Sequence, residues 1–276
     1  MLREAIRDEI RTLMGSDDPD APDLTRAPGD DGLFGPGSAS WQVHGDFTAM
    51  MIGGVSALLL QMLHPAALAG VWDHSGFRDD MNGRLRRTAR FIAATTYGST
   101  EAAEAMIARV RRVHGYVHGT LPDGTTYRAD DPVLLTWVHV AEARSFLAAH
   151  IRYRDPTFPG VRQDLYYAEM AGLARRLGAT GVPETRAAVE AYLRGMRGAL
   201  RVDVRTREVA RVLLDQPAPN FVSRPLQQIL LRSGVDLLPS WARAMHGVRV
   251  PLRDRVALRA GALGAGGVLR WAMAAR

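Results

Sequence analysis

From Phe47 to Trp72 the chain carries no formal charge unless His64 is protonated, and no other stretch restricts the fold as strongly. A run of that length is unfavourable in water, so it either spans a bilayer or is enclosed by the rest of the chain. Gly53-Gly54, Gln61 and His64-Pro65 interrupt it, and Pro65 breaks or kinks a helix at that point. The stretch therefore predicts two buried helical pieces, with a membrane-spanning helix as the alternative. With 276 residues, 47% of them hydrophobic, the chain can build a core large enough to enclose such a pair.

Helical patterning dominates the remainder. Residues 84–97, 100–118, 132–152, 162–177, 183–200 and 206–214 read as helices, several opened by a Ser, Thr or Asp cap or an early Pro. Strand-like alternation is confined to 119–127, where Pro122-Asp123-Gly124 supplies the turn of a short hairpin. Pro and Gly residues near Gln216, Pro225, Pro239 and Pro251 divide the C-terminal part into short helices. The fold class that follows is all-α: a single multi-helix globular domain with at most one short β-hairpin. Residues 1–14 read as an amphipathic N-terminal helix without the apolar centre of a secretory signal, so a cytoplasmic location is expected. Residues 17–40, rich in Asp, Pro and Gly, read as an extended arm. The division is thus 1–40 for helix and arm, and 41–276 for the helical domain.

Composition removes much chemistry. All 35 basic residues are Arg, and the chain contains neither Lys nor Cys. That excludes lysine Schiff bases, P-loop lysines, disulfides, thiolate nucleophiles, thiolate-ligated haem, Cys-ligated iron–sulfur clusters and Cys-type zinc sites. The net charge of +6 suits anionic partners or peripheral contact with a membrane surface, but the arginines form no aromatic-interleaved stripe, so no nucleic-acid partner is expected.

The residue that points most directly to chemistry is His114. At 100° per residue, Ala103, Ile107, Val110, His114 and Val117 share one narrow stripe, with Met106 and Val113 at its edge. An imidazole aimed into an apolar core needs a partner, which a backbone carbonyl, a metal ion or haem iron can each provide. His118 lies one turn later at the edge of the stripe, and Gly119 ends the helix. In Arg84-Leu-Arg-Arg87-Thr88, Arg84, Thr88, Phe91 and Thr95 share a helix face, so a guanidinium and a hydroxyl can address one anion, although such a run also suits a solvated, salt-bridged face. His64 and His74 flank the second apolar piece and suit capping or core hydrogen bonds, and His139 suits a structural bond or support of another residue. His44, His150 and His246 carry no distinguishing context. No Gly-x-Ser-x-Gly or His-Glu-x-x-His string supports a hydrolase, and no paired Glu-x-x-His supports a di-iron bundle.

Taken in order, Gln61-Met-Leu-His64-Pro65, Gly70-Val71 with His74-Ser75, Arg84-Leu-Arg-Arg87-Thr88, Val110-Arg-Arg-Val-His114, Leu121-Pro-Asp-Gly124 with Tyr127, and Trp137-Val-His139 resemble the succession in rubber oxygenases (latex-clearing proteins) and in the membrane-bound oxygenase of mycophenolic acid biosynthesis. The resemblance spans roughly residues 40–250. It implies an all-α domain holding haem b (iron) through an axial histidine, with oxidative use of dioxygen on a hydrophobic, often isoprenoid, small molecule. Residue by residue it makes His114 the axial ligand and Arg84 and Thr88 haem-pocket residues, with His64, His74, His118 and His139 as further candidates around the cofactor. Arg87 stands where rubber oxygenases can present a distal Lys, so a lysine-closed iron is not available here. Charged Arg87 is a poor iron ligand and Thr88 a weak one, which implies an open or water-bound sixth position. His118 replaces a common Arg and competes with His114 as ligand, the stripe favouring His114. The alternative class is a haem- or lipid-binding protein without turnover.

Overall fold

The computed structural model describes residues 24–218 and 223–274; residues 1–14 and the beginning of the arm lie outside them. Among the described residues there are twelve α-helices and one two-stranded sheet. In order they are α1 (Ala39–His44), α2 (Phe47–Gln61), α3 (Pro65–His74), α4 (Met81–Tyr97), α5 (Thr100–Tyr116), β1 (His118–Thr120), β2 (Thr126–Arg128), α6 (Pro132–Tyr153), α7 (Gly160–Leu177), α8 (Arg186–Met196), α9 (Val204–Leu214), α10 (Arg224–Leu237), α11 (Ser240–His246) and α12 (Leu252–Met273). The all-α reading holds.

The charge-free stretch becomes the centre of the molecule. The carboxylate of Asp46 caps α2 by accepting from the Ala49 N–H, and α2 buries most of its residues on all sides, as a helix apolar all round must. Pro65 then opens α3 as a first-turn residue, and the chain bends by 107° between the two helices. No single helix among the described residues is long and apolar enough to cross a membrane.

Close packing around α2 depends on two glycines. A Cβ on Gly53 would come within 2.7 Å of the Phe146 ring and 3.1 Å of its Cα, so α6 lies directly against α2. A Cβ on Gly234 would meet Val55 Cγ1 at 2.5 Å, which brings α10 onto another side. The core runs from these contacts through Leu59, Leu60, Trp137 and Val140 to Tyr166 and Met170 on α7. α6 itself begins where the Asp131 carboxylate accepts from the Val133 and Leu134 N–H groups, with Pro132 in the first turn.

Two local readings need correction. α5 stops at Tyr116, so His118 is the first residue of β1 rather than the next helical turn after His114. Gly119 does not end the helix: it pairs with Tyr127, whose ring lies over it so closely that a Cβ would sit 2.9 Å from the hydroxyl. That hydroxyl donates to Asp73 Oδ2 at 2.7 Å and ties the hairpin to α3. The C-terminal part also differs, because α12 runs unbroken for 22 residues despite four glycines. Its Arg259 and Arg270 bond the buried carboxylates of Asp236 and Asp46 at 2.8 Å each, and those tertiary ties compensate for poor helix propensity.

Candidate functional site

α4 and α5 are joined by a two-residue connection, Gly98-Ser99, and pack against each other. Asp80 caps α4 by accepting from the Gly83 N–H, and Ser99 caps α5 by accepting from the Ala102 N–H. Arg84 lies 13 residues before the end of α4 at Tyr97, and His114 lies 14 residues after the start of α5 at Thr100. At 1.5 Å per residue both stand roughly 20 Å along their helices from the turn.

Burial falls away along this pair of helices. Near the turn Thr95, Ala103 and Ile107 are buried, whereas Val110, His114 and Val117 are half-buried and Val113 is 53% exposed. The stripe expected on α5 is therefore present, but its C-terminal half is only partly covered.

Two polar groups in that region lack partners. His114 Nδ1 is buried with no hydrogen bond among the described residues. Desolvation holds the His114 pKa below the ordinary histidine value, a pull that Asp130 only partly opposes, so the ring is neutral and keeps a lone pair. Arg84 Nε is likewise buried and unbonded, and burial, reinforced by the nearby Arg87 charge, pushes its pKa down to about 10. α4 and α5 thus each carry a nitrogen with an unmet hydrogen-bonding capacity, one on a neutral imidazole and one on a guanidinium.

The other candidates divide around this pair. Arg87 is exposed and lies 3.6 Å from Asp80, and Thr88 is exposed with its hydroxyl donating back to the Arg84 carbonyl at 3.2 Å. The face shared by Arg84 and Thr88 thus turns outward at Thr88. His74 and His118 do meet, but through an Nε2 contact of 3.2 Å from His74 to the His118 carbonyl, and both residues are exposed. His64 is the N-cap residue of α3; its ring tilts against Trp137 at 6.1 Å, and its Nδ1 is buried without a bond. His139 is buried on α6 with Nε2 unbonded, and desolvation lowers its pKa to about 4.

His139 lies near a second polar cluster, centred on His44. His44 Nδ1 contacts Thr96 Oγ1 at 2.8 Å and Nε2 contacts the Tyr166 hydroxyl at 3.1 Å, joining α1, α4 and α7. Burial, with repulsion from His139 and His150, depresses the His44 pKa to about 3. Glu142, one turn beyond His139 on α6, is raised to about 7 by burial. Glu169 caps α1, accepting from the Ala39 and Ser40 N–H groups at 3.1 and 2.7 Å. The partners of His44 lie 52 and 122 residues away, so no local pattern marks it.

A solvent-open concavity of about 560 Å³ beside α9 and α10, lined by Leu214, Gln216, Arg224, Gln227 and Leu231, contains none of the candidate residues. No group of three or more His, Cys, Asp or Glu among the described residues is arranged to hold a metal ion, so any metal there would depend on a ligand of its own, as haem iron does. Residues 41–271 match the family described as ER-bound oxygenase mpaB/B'/Rubber oxygenase, catalytic domain. No curated protein and no solved structure matches the chain.

Proposed function

The chain belongs to this family of oxygenase catalytic domains, and from that premise we propose that it is a haem b-dependent oxidoreductase that uses dioxygen on a hydrophobic small molecule, with His114 as the axial ligand. The observation that carries the reading is that α4 and α5, joined by a two-residue turn, each bring a buried, unbonded nitrogen: Arg84 Nε and His114 Nδ1. A haem needs one neutral imidazole and cations for its propionates, and these residues fit both needs.

Bound haem supplies the redox chemistry with dioxygen, and the protein supplies binding, orientation and a dry environment. His114 contributes a lone pair because desolvation disfavours its protonated form. Arg84 contributes a charge that has already lost water, so pairing with a carboxylate relieves its desolvation. Val110 and Val117, half-buried on the same stripe, offer apolar contact to a macrocycle seated at this end of α5. Arg87 stays with Asp80 at the surface and leaves the iron without a lysine-like distal ligand. Gly70 on α3 lies against Val117, so the apolar α2–α3 segment ends beside this region and suits a hydrophobic substrate; a cytoplasmic location remains part of this proposal.

The test is the visible spectrum of purified protein reconstituted with haem. A Soret band is expected in the wild type and its loss in His114→Ala, while carbon monoxide should shift the reduced wild-type spectrum. Full haem occupancy in His114→Ala would remove the assignment. A ferrous spectrum unchanged by carbon monoxide would favour a haem carrier without turnover.

A further inference from the structure

α12 reverses the usual arrangement of a surface helix. From Val256 to Arg270 its only charged side chains are Arg259 and Arg270, and both turn inward onto buried acids, Asp236 and Asp46. Its outward side is apolar: Leu252 is 78% exposed, Val256 75%, Leu263 44% and Val268 52%. At 100° per residue, Leu252, Val256, Ala260, Leu263 and Gly267 fall in one sector, with Arg255 and Arg259 along its edge. A surface helix ordinarily presents charge to water, and a contiguous apolar face on a monomer marks an interaction surface.

The edge of this face carries an excess of positive charge. The buried carboxylate of Asp236 lies 2.8 Å from Arg259 and 3.3 Å from both Arg152 and Arg255. Arg243 donates to the Asp236 carbonyl at 2.7 Å and Arg144 to the Leu237 carbonyl at 3.2 Å. One carboxylate and the partial charge at the C-terminal end of α10 cannot neutralise that many guanidinium groups. Arg152, Arg255 and Arg259 remain partly exposed, so their free N–H groups reach solvent beside Val256 and Leu263.

We propose that this face of α12 docks on an anionic phospholipid bilayer, with Leu252, Val256 and Leu263 entering the acyl boundary and lipid phosphates completing the arginine cluster. An interfacial helix of this kind lies in the membrane plane, and its attachment grows with both apolar area and anionic lipid. The charge pattern selects lipid over a second copy of the chain, because a two-fold interface through this face would bring two arginine clusters together. The proposal concerns a surface separate from the haem region and does not depend on haem binding.

Flotation with vesicles tests it. The full chain should bind vesicles of phosphatidylcholine containing about 30% phosphatidylserine, bind phosphatidylcholine alone at least about tenfold more weakly, and release as salt is raised. The double variant Val256→Glu/Leu263→Glu, altered at exposed positions, should lose about tenfold or more of that binding with an unchanged melting temperature. Val161→Glu on α7, at a residue 76% exposed, should bind as wild type. Absence of wild-type binding to anionic vesicles, or equal binding by the double variant, overturns the proposal. So does a wild-type dimer that the double variant converts to a monomer while vesicles recruit neither.

Discussion

Arg84 has opposite consequences for stability and for binding. Its Nε is a donor held out of water without a partner, which costs roughly 1–3 kcal/mol where no ligand is present. Arg84→Met keeps the apolar stem and removes the charge. It should raise the melting temperature of the haem-free protein while weakening haem binding, and a fall in both, or an unchanged haem affinity, contradicts the role assigned to Arg84. His118 gives the complementary control. It is exposed at the start of β1, and it meets His74 through its backbone carbonyl. His118→Ala should therefore leave the Soret band in place; its loss would transfer the axial role from His114. Both residues lie in recognisable strings, but only the end of α5 at Tyr116 separates them, and that boundary reflects the pairing of His118 with Arg128.

At the scale of elements, the approach of α2 to α6 sets the spacing of the whole bundle. Gly53 and Gly54 are adjacent in sequence and alike in helix propensity, yet Gly53 faces the Phe146 backbone whereas a Cβ on Gly54 would meet only Phe146 Cε1, at an ordinary 3.9 Å. Gly53→Ala should destabilise by about 1–3 kcal/mol, as overpacking does, whereas Gly54→Ala should be neutral or stabilise by up to about 1 kcal/mol. Chemical denaturation of the two variants decides this, and equal effects would mean that the helices can separate without cost. The helix starts at Asp131-Pro132 and Ser99-Thr100 were legible because cap and first turn are neighbours in sequence. The length of α12 was not, since the C-terminal part read as short helices and its stabilising acids, Asp46 and Asp236, belong to distant elements.

The whole molecule should lose stability as pH falls. Desolvation depresses His44 to about 3 and His139 to about 4, below the ordinary histidine value of 6.5. Below that ordinary value the unfolded chain takes up protons that the folded chain refuses, so the stability these residues contribute above pH 6.5 is progressively lost down to about pH 3. His64, His114, His150 and His246 are shifted the same way. Glu142 acts in the opposite sense: raised from 4.5 to about 7, it favours the folded state at low pH and loses that contribution as pH rises through 7. The histidines outnumber it, so the melting temperature should fall between pH 7 and 4; a flat or rising profile on acidification contradicts these environments.

The all-α class, the bend at Pro65, the hairpin turn and most helix starts could be read from residues 47–72 and from local caps, because period, proline geometry and capping act within a few residues. The ordered strings from Gln61 to His139 also pointed to the oxygenase family that the match over 41–271 establishes. Tertiary structure alone buried Arg84 Nε and His114 Nδ1 without partners, turned Thr88 toward solvent, gathered His44 with Thr96 and Tyr166, and left the apolar side of α12 facing outward. Each of those facts depends on which helix covers which face. Covering is decided by contacts between residues far apart in the chain, where sequence periodicity carries no information.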